Sequence, residues 1–132
     1  SVFNSVYSSL KIADHERLFV IAHGITAGIF TEYLATLPNI KLHAFVLISA
    51  HIPNSSRAKH LAANLSVIKP AILDFTYTTS DPIITRQIAQ RKRWVRKNQK
   101  FDYRHRTLFG LMDSPSQHLN IFKEMSGFFR RL

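Results

Sequence analysis

Two short, almost uniformly apolar runs constrain this chain more than any other feature. Residues 17–22 (RLFVIA) and 43–49 (HAFVLIS) are too short for buried helices and too uniform for strands with one wet face. Each therefore predicts a strand covered on both sides. Between them Ala27, Phe30, Tyr33, Leu34 and Leu37 recur at helical spacing until Pro38 and Asn39 stop the helix.

The alternation continues. A loop with Pro53 leads to a short helix near residues 57–65, and Lys69 and Pro70 introduce a third strand over 71–76. Ser80, Asp81 and Pro82 read as a helix start, a capping side chain followed by proline at the first helical position. The helix from there to about Gln99 is basic, with Ile84, Ile88 and Val95 toward the core and its Arg and Lys residues toward water. Residues 103–109 alternate like an edge strand. Residues 116–131 close as a helix through Leu119, Phe122, Met125 and Phe129, and Phe3, Val6, Tyr7 and Leu10 predict a helix at the amino end. The fold class is α/β: one domain over 1–132, a three-layer parallel sheet of about four strands in chain order, with helices on both faces.

Length and composition agree. A chain of 132 residues, 45% hydrophobic and 20% charged, supports one modest core. No apolar run approaches a membrane-spanning length. With no Cys, disulfides and thiolate metal sites are excluded. There is neither an initiator Met nor a basic leader before an apolar run, so a signal peptide is expected to lie outside these residues.

The formal charge of +10 is concentrated between Arg86 and Arg106, where nine Arg and Lys residues face only Asp102. Such a block suits an anionic ligand or an acidic protein, with Arg91, Lys92, Arg93 and Arg96 as its centre. Its structural counterpart is a solvated helix face. Nucleic acid is disfavoured as a partner, because stacking needs presented aromatic rings and Trp94 reads as core.

The stretch from Leu18 to Ala50, LFVIAHGITAGIFTEYLATLPNIKLHAFVLISA, resembles the nucleophile strand, elbow, helix and next strand of α/β-hydrolases. Ala22, His23, Gly24, Ile25, Thr26 and Ala27 fall on the family's Gly-His-Ser-x-Gly-Gly pattern, so Gly24 occupies the serine position. PAILDFTY followed by RKRW and FDYRH is similar to an uncharacterised bacterial family of hydrolase-like, often exported proteins. The resemblance implies half of an α/β-hydrolase fold, the carboxyl-terminal half of a larger sheet. It also implies that the edge at residues 17–22 is covered by a preceding half or by another copy, and points to a bacterial periplasm or envelope, with the cytoplasm also open.

The same resemblance places Asp81 at the position of the catalytic acid and His118 at that of the catalytic histidine. Thr26, in the string Gly24 to Gly28, has nucleophile-like spacing but is better suited to cap the helix. His23 is expected to pack behind the elbow. Without a serine, ordinary acyl transfer is disfavoured, while the Gly24 turn with His23 and Ile25 offers backbone N–H groups and a helix's positive end to an anion. No cofactor is implied, since His15, His43, His51, His60 and His105 show no metal-ligand spacing. Three readings remain open: a hydrolase-like binding or structural domain; a hydrolase of ester-type bonds using Thr26, or a residue outside the chain, with Asp81 and His118; and a basic module for an anionic partner.

Overall fold

In the computed structural model, residues 17–78, 81–109 and 114–132 are described. The helix expected over the first ten residues lies outside them. Eight elements alternate: β1 (Phe19–His23), α1 (Gly24–Leu34), β2 (Ala44–Ile48), α2 (Ser55–Leu65), β3 (Ala71–Tyr77), α3 (Pro82–Lys97), β4 (Tyr103–Leu108) and α4 (Pro115–Arg130). The four strands form one parallel sheet in the order β1-β2-β3-β4. Crossovers of one hand along a sheet that steps in one direction place α1, α2 and α3 on the same face, leaving the other to α4.

Two cores follow from the strand pleat. Phe45, Leu47, Ile72 and Tyr103 point to the three-helix face and join Ala27, Leu34, Leu61 and Leu65. Val46, Leu73, Phe75 and Leu108 point the other way and pack with Phe128 and Phe129 of α4. Phe129 also stacks on Phe19 at a centroid distance of 4.2 Å. β2 and β3 are the strands buried on both faces.

β1 is not, because it is the sheet edge: Ile21 is 54% exposed. α4 also departs from expectation. Met125 and Phe129 reach the core as predicted, but Leu119 and Phe122 are exposed, and Ile121 and Phe128 take the inward positions. The helix starts are set by caps. Asn54 accepts from Arg57 N–H at 2.9 Å and begins α2 two residues earlier than expected. Ser114 accepts from Gln117 N–H at 3.3 Å just before Pro115.

Candidate functional site: the turn after β1

β1 delivers His23 and Gly24 to the carboxyl edge of the sheet, where α1 begins at once. Gly24 has φ +61°, in the left-handed region that side chains rarely adopt, yet a Cβ built there meets nothing within 4 Å. The position is thus conformationally demanding and sterically open. His23 is the N-cap residue of α1 but provides no side-chain cap, and the first turn holds no acidic residue. The leading N–H groups of α1 therefore lack a side-chain partner from the cap.

The turn is braced by the loop after β2. His51 N–H donates to the Gly24 carbonyl at 3.4 Å, and Gly28, one helical turn on, lies so close that an added Cβ would run into the His51 carbonyl and come within 2.6 Å of Ile52 Cγ1. Ser49, just past β2, has φ 53°, its N–H donating to Phe75 O at 2.9 Å. Its carbonyl accepts from His51 Nδ1–H at 2.9 Å.

α3 in turn holds this loop through buried polar side chains. Gln87 Nε2 donates to Ile52 O at 3.1 Å, and Gln87 Oε1 accepts from Ile52 N–H at 3.3 Å. Arg91, fully buried, donates from Nη2 to the Ala50 carbonyl and from Nη1 to both Asp74 oxygens at 3.1 and 3.0 Å. Tyr103 Oη donates to Asp74 Oδ2 at 2.5 Å. Two residues further along the same pair of strands, His105 Nε2 pairs with Thr76 Oγ1 at 2.7 Å.

Burial shapes the titration of this cluster. Tyr103 is held well above its ordinary 10.0, first by burial and then by the Asp74 charge. His105 is lowered from 6.5, first by burial, with Lys92, Arg91 and Arg106 adding repulsion and Asp74 opposing. A histidine depressed on folding leaves the unfolded chain binding the extra proton, so stability is complete above 6.5 and falls as pH drops through the folded value. A tyrosine raised on folding ionises first in the unfolded chain, so stability is lost as pH rises past 10.0. Urea unfolding across pH is expected to show both arms, with His105→Gln flattening the acid arm and Tyr103→Phe the alkaline one; an acid arm unchanged in His105→Gln would refute the assignment.

The residues singled out in the sequence fall as follows. Gly24, Asp81 and His118 all follow the carboxyl ends of strands, on three separate elements. Thr26 is exposed in the first turn of α1, three residues beyond the strand end, and does not cap the helix, because the N-cap position belongs to His23. His23 is itself exposed rather than packed, and Ile25 is 44% exposed. The Asp81 carboxylate accepts from Ile83 N–H at 2.7 Å as the cap of α3, and no hydrogen bond joins it to Thr26. His118 is exposed near the start of α4.

Lys92, Arg93 and Arg96 are on the solvated face of α3, but Arg91 is not available to an external anion, because its charge is neutralised by Asp74 in the core. Asp74, Gln87, Tyr103 and His105 were not apparent from motif spacing. Their signal is Asp74 itself: a carboxylate inside an otherwise buried strand requires a buried cation and donors. Ile84, Ile88, Arg91 and Val95 share the core-facing stripe of α3, so helical spacing identifies the cation.

Four parallel strands with helices on both faces, opened by a left-handed turn between the first strand and its helix, define a three-layer α/β domain. Within that class the chain belongs to the family described as "Protein of unknown function (DUF3530)", which matches residues 6–131. No curated protein matches the chain.

Proposed function

We propose that this chain is a hydrolase-like domain without serine hydrolase chemistry that serves as a binding or structural element. The observation that carries this reading is Gly24. A left-handed residue between a strand end and a helix start is the backbone arrangement that lifts a nucleophilic hydroxyl above a hydrolase sheet. Gly24 has that arrangement and open space beside it, but no oxygen to offer.

The neighbouring groups support binding over turnover. Asp81 is engaged as a helix cap, and Thr26 sits past the strand end within the helix. The uncapped N–H groups and positive end of α1 suit a carboxylate or phosphate. Ile21 on the α4 side of the β1 edge is 54% exposed, and Ile25 and Ile29, one turn apart on α1, are 44 and 40% exposed; this apolar surface supports a role in assembly.

A panel of short-chain acyl esters tests the reading. Hydrolysis by the purified chain is expected to equal that of buffer, in Gly24→Ala and Thr26→Ala as well as in the parent. Turnover that persists in Gly24→Ala and disappears in Thr26→Ala would replace it with an active hydrolase using Thr26.

A further inference from the structure

We propose that the outer face of α3, with the groove it forms against α2, docks on an anionic lipid bilayer. Arg86, Arg93 and Lys97 recur at intervals of seven and four residues and so share one side of α3, flanked by Lys92 and Arg96. All five are exposed, and none takes part in an ion pair among the described residues. The described acids are already engaged: Glu32 with Arg57, Asp74 with Arg91, Asp102 with Lys100, Glu124 with Arg106, and Asp81 as a cap.

α3 itself contains no acidic residue, so its cations at three- and four-residue spacing repel one another. Arg96 and Lys97 lie in the last turn, where the helix's negative end favours them. Arg86 and Arg93 have no such compensation. Water and counterions screen them, and an anionic surface would take the place of those counterions.

The groove indicates what that partner is. It has a volume of about 250 Å³ and a lining that combines apolar Pro53, Ala58 and Ile83 with the cations Lys59 and Arg86 and with polar Ser55, Gln87 and Gln90. Ile83 is 53% exposed. A lining that joins exposed apolar carbon to two cations matches an anionic phospholipid, whose phosphate meets Lys59 and Arg86 while its glycerol and upper acyl carbons cover Ile83. A nucleic acid would use the charged row but leave the apolar lining wet, and the aromatic ring of α3 itself, Trp94, is half-buried with Lys97 Nζ 4.8 Å above it. The rest of the apolar face of α3 is used in the core, so the contact is peripheral adsorption rather than insertion.

Vesicle sedimentation of the intact chain tests the proposal, using phosphatidylcholine alone and phosphatidylcholine with roughly one third phosphatidylglycerol. Binding is expected only to the anionic vesicles and to weaken as salt is raised. Each cation near an anionic surface contributes about a fivefold change in partitioning, so Arg93→Gln/Arg96→Gln/Lys97→Gln should lose about a hundredfold and Lys59→Gln/Arg86→Gln about twenty-fivefold. Ile83→Ser should reduce the binding that survives raised salt. Circular dichroism of these surface variants should match the parent. Failure to sediment with anionic vesicles, equal binding to neutral ones, or displacement of the protein from vesicles by duplex DNA at equal phosphate concentration would overturn the assignment. These outcomes do not depend on whether the Gly24 turn is catalytic.

Discussion

Removing either member of the buried Asp74–Arg91 pair is expected to lower stability by about 3–5 kcal/mol, because the survivor is left as an uncompensated charge in the core. Both side chains are fully buried, so water cannot take the place of the lost partner without opening the layer between α3 and the sheet. Asp74→Ala also strips Tyr103 of its acceptor, and Arg91→Met strips the Ala50 carbonyl of its donor. The combined replacement Asp74→Leu/Arg91→Met/Tyr103→Phe should recover most of the loss, since a well-packed apolar set often equals a buried ion pair. Arg91 Nε has no partner among the described residues, which lowers the net worth of the native arrangement. Urea unfolding of the single and combined variants measures this. Single variants within about 1 kcal/mol of the parent would show that the pair is not buried as described.

The second large effect is expected at Gly28, and its contrast with Gly24 locates the tight contact. Gly28→Val should cost about 3 kcal/mol, because the added carbons meet the His51 backbone carbonyl and Ile52, neither of which is the free end of a flexible chain. The loop they belong to is also held from the far side by Gln87 and Arg91. Gly24→Ala should cost about 1–2 kcal/mol, the penalty of a left-handed backbone alone, because the space beside it is open. Thermal and urea unfolding give the two values. A larger cost at Gly24 than at Gly28 would mean that α1 does not approach the 50–52 loop as closely as its backbone places it.

Most of the architecture was legible because burial writes itself into the chain. Residues 43–49 are apolar on both faces since β2 lies inside the sheet, and the Asp81-Pro82 pair fixes the start of α3 through capping and proline geometry. What composition could not distinguish was a strand apolar because it is covered from one apolar at an edge, so β1 read like β2. Arg91 was hidden for a related reason: among many arginines on one helix, charge count says nothing of which faces inward. Asp74 resolves the ambiguity, because only a buried cation on the facing stripe can balance it. At the turn, the sequence pattern located Gly24 but not its brace, since the hydrogen bond from His51 and the close approach at Gly28 join segments far apart in the chain. Likewise Thr26 looked like a cap until the helix proved to start at Gly24, two residues before it.

The turn after β1 has a left-handed backbone at Gly24 and no side-chain nucleophile there. The most direct measurement is covalent labelling with a fluorophosphonate probe, followed by mass-spectrometric mapping of any adduct on the intact chain. Labelling no greater than that of the heat-denatured protein is predicted. Stoichiometric modification of Thr26 that is lost in Thr26→Ala would contradict the claim and make the chain an acyl-transfer enzyme.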